Sequence, residues 1–324
     1  RTPPTHGLCE GRSRPMLIAT DQQVLLLNTK ENDVVPAPLV SSDTAPVIDM
    51  TASLVAAWVG GGDVVVGRGQ ELGRLHTDLE EKVTCVRILC EEPLVLLVGT
   101  EPAHLYRITG DGLVEPLEGF DRVEGRAEWG TPWGGPACVR SIADHGKWIY
   151  ADIHVGSIVR SADGGNTWEP VGNGIHPDVH QVVTHPAEPE RVYANTADGV
   201  FVSDDRGHNW RHAVDGLATR YGRAIAVDHE DPQLMLASVS LGPHQGEGRL
   251  YRSTDGGAGW RHVSRGFPPY IEGNIDTFCL AFSGVDRAWV AVEQTLYRSD
   301  DLGETWTEAW EAEVPIRALA APRG

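Results

Sequence analysis

Ser161-Ala162-Asp163-Gly164-Gly165-Asn166-Thr167-Trp168 is an octapeptide that returns three more times, at 203–210, 253–260 and 299–306. Ser, Asp, Gly and Trp hold its first, third, fifth and eighth positions in every copy, and each copy follows a short apolar run such as Val200-Phe201-Val202. This is the composition of a tight hairpin turn. An Asp carboxylate accepts bonds from the amides of its own turn, Gly takes a positive φ that a Cβ would disfavour, and Ser or Thr adds local hydroxyl bonds. The Trp then opens the next strand and offers a large apolar surface to a neighbouring unit.

Working outward from the repeats, each unit reads as strand, turn, strand, loop, strand, repeat hairpin, strand. The second copy shows this best, with strands expected at 179–185, 191–196, 199–203 and 209–215. Alternating and β-branched residues bounded by Gly, Asp and Pro support each of them. Four strands in a period of roughly 40 to 50 residues indicate a propeller. The same template recovers three degenerate units upstream, with second strands at 15–20, 54–60 and 94–100 and third strands at 24–27, 63–67 and 105–109. Inner strands are expected at 46–52, 83–90, 138–144, 179–185, 222–228 and 276–283. The first unit lacks one, and residues 315–321 supply it. The expectation is an all-β, single seven-bladed β-propeller over 1–324, with 1–14 a flexible N-terminal segment and the C-terminal strand completing blade one. Such closure removes an open sheet edge.

Charge bounds the function. Lys and Arg total 27 against 46 Asp and Glu, a formal net charge of −19. That balance excludes a phosphate-backbone binder, because nucleic-acid affinity rests on cationic side chains. Cys9, Cys85, Cys90, Cys138 and Cys279 are an odd number without metal-type spacing, and read as buried thiols in a reducing compartment. No run approaches the roughly 18 apolar residues of a membrane span, and no signal-peptide pattern opens the chain. A cytoplasmic location is expected, with secretion left open because the chain starts at Arg1 rather than Met.

Loop lengths sort by face. Second-to-third loops and outer-to-next-inner connections emerge opposite the repeat hairpins, and the three longest, 121–137, 241–248 and 265–275, all belong there. Insertions on one face mark the binding side of a repeat array. The first insertion carries Glu128, Trp129 and Trp133, the second His244 and Glu247, and the third Tyr270, Glu272 and Asn274. Aligning the inner strands near their entry gives Arg87, Arg140, His180, Arg223 and Arg317. This arrangement is either a basic ring that receives an anion or a set of cations paired with Asp49, Asp276 or Glu293. His104, His154, His180 and His244 form a third possibility, a divalent-metal site with Glu272 or Glu293 as a further ligand.

The repeats resemble the Asp box of BNR-repeat, sialidase-like propellers, a group that includes Ycf48-like photosystem-assembly propellers and sortilin-like receptors. The resemblance implies a propeller whose boxes are structural and lie away from the functional mouth. By analogy with sialidases, Arg140, Arg223 and Arg317 would imitate the carboxylate-binding cluster, and Tyr270 with Glu272 the nucleophile and its assistant. The Arg-Ile-Pro motif of that family is approached only by Arg14-Pro15. The favoured expectation is a small anionic or aromatic ligand at the mouth opposite the boxes, with hydrolase or lyase chemistry. Trp129 and Trp133 would join Tyr270 as walls, Arg87, Arg140, Arg223 and Arg317 would be the anchors, and His154, His180, Tyr270 and Glu272 the catalytic groups. A non-catalytic protein-interaction scaffold or assembly factor is the alternative.

Overall fold

A computed structural model describes residues 15–28, 34–69, 71–131, 133–244 and 246–323. Cys9, Arg14 and the expected flexible segment 1–14 lie outside the described residues. Seven four-stranded antiparallel sheets form the molecule, and all seven run inner to outer in chain order except the first. Blade one takes its inner strand, Ile316–Ala320, from the end of the chain and sets it beside Met16–Thr20, Gln23–Leu27 and Ala37–Ser41. The remaining inner strands are Val47–Met50, Lys82–Glu91, Val139–His145, Val179–His185, Tyr221–Val227 and Leu280–Ser283. The expected seven-bladed propeller and its closure are therefore present.

The outer strands are shorter than the sequence suggests. In blade five only Arg211–His212 pairs with the third strand, where 209–215 was expected. Each repeat turn consumes the residues before that strand. Ser161 Oγ accepts the Gly165 amide at 2.8 Å, while Asp163 Oδ1 accepts the amides of Asn166 at 3.0 Å and Thr167 at 2.9 Å. The fifth-position glycines have φ between 79° and 96°, so the conformational role expected of them holds.

One contact recurs between blades. The fourth-position carbonyl of every repeat accepts a hydrogen bond from an arginine of the preceding blade: Arg107 to Gly164, Arg160 to Arg206, Arg211 to Gly256 and Arg252 to Leu302. Three of these arginines occupy the same third-strand position. In blade five that position is Val202, and its cross-strand neighbour Arg211 takes the role.

The turns also create a pH signature. Thr167 holds the Asp163 carboxyl down to about 2 through amide and hydroxyl bonds, and Asn209 holds Asp205 to about 2. A depressed carboxylate contributes stability above its ordinary value of 3.8, and that contribution is lost as pH falls through 2. The double variant Asp163→Asn, Asp205→Asn is expected to show a flatter dependence of urea midpoint on pH between 4 and 2. Parallel curves for the two proteins would show that these carboxylates are not held by their turns.

Two of the four described cysteines, Cys85 and Cys279, are buried as expected, and all four are free thiols. Cys138 is half-buried, and Cys90 is exposed, contrary to the sequence reading. It follows a register shift between Ile88 and Cys90 at the end of its strand, where the chain leaves the barrel of inner strands. Among the described residues no helix is long and apolar enough to cross a membrane.

Candidate functional site

The second and third insertions meet. Gly248 and Ile271 bridge the second and third loops, and Asn274 Nδ2 donates to the Pro243 carbonyl at 3.2 Å. Between them lies a pocket of about 380 Å³ lined by Arg223, Pro243, His244, Glu272, Asn274 and Asp276. Five residues named from the sequence, Arg223, His244, Glu272, Asn274 and Asp276, are thus neighbours. Leu241 and Tyr270, on the same loops, are 49% and 56% exposed. Large apolar groups left in solvent on adjoining loops are the mark of a contact surface.

Toward the channel the mouth is lined by alternating charges. Arg140 Nη1 lies 3.4 Å from Asp178 and donates to the Val179 carbonyl at 3.1 Å. Arg317 grips Asp21 with two bonds of 2.6 and 2.9 Å. Arg223 is held least: Nη1 is 3.8 Å from Asp276, its Nε has no partner, and its guanidinium rests over the Tyr221 ring at 5.3 Å. The cation-pairing alternative therefore accounts for Arg140 and Arg317, and more loosely for Arg223, whose partner Asp276 lines the same pocket.

Arg87 does not belong to this ring. It lies at the other end of the channel, 2.5 Å from Asp144 and 3.9 Å from Asp49. Both inner strands carry the same register shift near their entry, at Thr84 in one and at Arg140 in the other, so Arg87 sits three residues beyond the position that Arg140 occupies.

The histidines do not converge. His104 Nδ1 pairs with Asp121 at 2.8 Å, under the first insertion. His154 packs against the edge of Trp133, ring centroids 5.1 Å apart. His180 is completely buried; its Nδ1 donates to the Gly222 carbonyl and its ring faces Tyr221. Among the described residues no three His, Cys, Asp or Glu side chains are placed to hold one ion. The divalent-metal expectation on His104, His154, His180 and His244 is not supported, because His104, His154 and His180 each face a different neighbour and His244 lies in the pocket beside Arg223.

Two other expectations change. Trp129 packs inward on Phe120 at 5.5 Å with Arg126 over its ring at 5.0 Å, so it stiffens the first insertion rather than walling a ligand. Sealed at strand depth, His180 cannot reach a substrate. His154 stays neutral: burial, with Arg140 and Arg223 nearby, lowers its pKa to about 4. Trp133 is 73% exposed, as a contact residue should be.

The comparisons with known proteins follow this geometry. The family described as Sortilin, neurotensin receptor 3 matches residues 156–271. A xyloglucanase of a Paenibacillus species is 28% identical over 204 residues, 49% of this chain and 19% of that protein. The chain thus spans about a fifth of that relative's length. Among solved structures, the GH74 xyloglucanase of Xanthomonas campestris superposes with a TM-score of 0.65 at 16% identity, over 97% of this chain and 53% of its own. A Ycf48 bound to D1 peptide gives 0.60 at 14% identity, over 90% and 92%. At these identities the structures establish the propeller fold and nothing finer.

Sequence reasoning missed Asp178, Tyr221 and Asp152. Asp152 is fully buried, bonded through Oδ2 to Ser141, with Oδ1 unpartnered; burial raises its pKa to about 7. A polar residue inside the apolar run Ile149-Tyr150-Ala151-Asp152-Ile153 was the available signal.

Proposed function

We propose that the face opposite the repeats docks a protein segment, with an acidic group of that segment seated on Arg223. The observation that carries this reading is a loosely paired guanidinium, 3.8 Å from Asp276, lining a pocket between loops that also expose Tyr270 and Leu241. Trp133 stands exposed on the first insertion, which belongs to the same face. A guanidinium offers a planar fork to a carboxylate, and exposed aromatics supply contact area at low entropic cost.

This order reverses the one drawn from the sequence, which placed a small ligand ahead of a protein partner. The groups assigned to catalysis lack a working arrangement: His180 is sealed, His154 is neutral under Trp133, and Tyr270 and Glu272 stand exposed on a loop. Ycf48 bound to D1 peptide is a propeller of similar extent that holds a peptide, which supports the reading without establishing it. A hydrolase remains the second reading, favoured by the xyloglucanase similarity over half the chain.

Selection of peptides from a random displayed library, followed by calorimetry, tests the proposal. Arg223→Gln is expected to weaken the selected acidic peptides on the order of tenfold to a hundredfold, as for loss of a charge-assisted hydrogen bond. Trp133→Ala should weaken them too, with neither variant changing the melting temperature. Affinities unaltered by both substitutions, or reducing-sugar release from xyloglucan by the wild-type chain, would overturn it.

A further inference from the structure

The central channel contains a second cavity, of about 450 Å³, at the end away from the inserted loops. Its rim is formed by His145, His185 and His229, where inner strands turn into the hairpins of the repeat side. Its walls mix apolar side chains, Ile48, Val86, Ile142, Val182, Ile225 and Leu319 among them, with the polar Gln181 and Thr184. Four charges are set into this lining: Asp49, Arg87 and Asp144 from blades two, three and four, and Arg323 from the segment that follows the closing strand.

Arg323 is ligated as a substrate would be. Its Nη1 donates to Asp144 at 3.0 Å, its Nη2 to Asp49 at 2.5 Å and to the Ile88 carbonyl at 3.1 Å, and its Nε to the Met50 carbonyl at 3.3 Å. Every partner is an acceptor, and together they surround the whole planar fork, a geometry that an ammonium cannot exploit. Without Arg323 the two carboxylates would face a single cation, Arg87. Arg323 lies three residues beyond the last strand residue, Ala320, after Ala321, which packs on the core, and buried Pro322, and its backbone forms an isolated bridge to Thr51 of the neighbouring blade.

We propose that this end of the channel is a guanidinium-binding site, filled here by Arg323 of the chain itself and open to an arginine side chain of another segment when Arg323 is withdrawn. The site is independent of the docking face described above, and either reading stands if the other fails.

Chemical rescue tests it on the full chain. Arg323→Gln is expected to melt several degrees below wild type, and millimolar methylguanidinium to restore the loss saturably. Methylammonium or sodium chloride at equal concentration should not, and wild type should show no saturable shift because its site is filled. Adding Asp49→Asn to Arg323→Gln should abolish the rescue. A rescue absent in Arg323→Gln, or indifferent to Asp49→Asn, overturns the proposal. If Arg323→Gln does not fold, Arg323→Lys decides: it keeps the charge but cannot reach four acceptors, so melting equal to wild type refutes the site and a clear loss supports it.

Discussion

A chain cut after Val314 is expected to lose cooperative unfolding altogether. The removed strand, Ile316–Ala320, is the inner strand of blade one and pairs along Met16–Thr20, with Ile18 opposite Leu319 and Leu17 opposite Ala320. Ile316 and Leu319 are 4% and 5% exposed. Truncating one such side chain costs about 2 to 5 kcal/mol, and a domain is stable by only about 5 to 15. Deletion removes both, strips the fully buried strand 16–20 of its cover, and takes away the Leu319 amide that donates to Phe278 of blade seven. It leaves the edge of Met16–Thr20 unpaired, which adds an aggregation hazard. Calorimetry and near-ultraviolet circular dichroism should show no sharp transition. A truncated chain that melts like the full one would mean that the ring is held without its closing strand. Arg317→Ala, which removes only the half-exposed pair with Asp21, should cost no more than about 1 kcal/mol.

That closure was legible because strand order in a propeller follows from counting. A unit missing its first strand and a chain ending in a spare one, Pro315-Ile316-Arg317-Ala318-Leu319-Ala320, have a single economical solution. Blade assignment was similarly secure, since the period of the repeats carries it. Side-chain direction was not. Arg87 and Arg140 look equivalent near the entry of their strands, yet the shared entry bulge aligns Arg140 with Thr84 and leaves Arg87 three residues further along, toward the opposite end of the channel. Neither could the burial of His180 or Trp129 be read from residue type, because each is amphipathic and its exposure depends on which neighbour covers it.

The channel charges are within reach of the sequence, Asp49 as a named pairing partner and Asp144 by its position. Asp49 interrupts Val47-Ile48-Asp49-Met50, and Asp144 ends Ile142-Ala143-Asp144, both within inner strands that otherwise bury apolar residues. A carboxylate in such a run needs a cation or a metal. Burial opposes the ionisation of Asp144, and the neighbouring Arg87 and Arg323 outweigh it, leaving its pKa below the ordinary value. The loops facing the other way were found by length, a property that survives ignorance of orientation.

Arg252→Ala is expected to destabilise the protein by about 3 kcal/mol, more than any surface arginine. The Arg252 side chain is 10% exposed; its Nε donates to the Leu302 carbonyl and its Nη1 to Glu304, each at 2.7 Å. A hydrogen bond from a charged donor is worth about 1.5 to 3 kcal/mol, and its loss leaves the Leu302 carbonyl without that partner. Leu302 also holds φ at 56°, a conformation that costs a non-glycine residue about 1 to 3 kcal/mol and persists only while its surroundings enforce it. Arg252 is one of those surroundings. Arg252→Lys should recover little, because an ammonium cannot address the carbonyl and the carboxylate through two arms of one plane. Arg261→Ala removes a second contact to the same Glu304 from a side chain 67% exposed, and should cost under about 1 kcal/mol. Urea midpoints of the three variants decide the point: an Arg252 loss no larger than that of Arg261 would reduce the contact to surface charge. A large loss would identify the recurrent arginine, rather than the turn's own hydrogen bonds, as the tie that transmits each repeat hairpin to the blade before it.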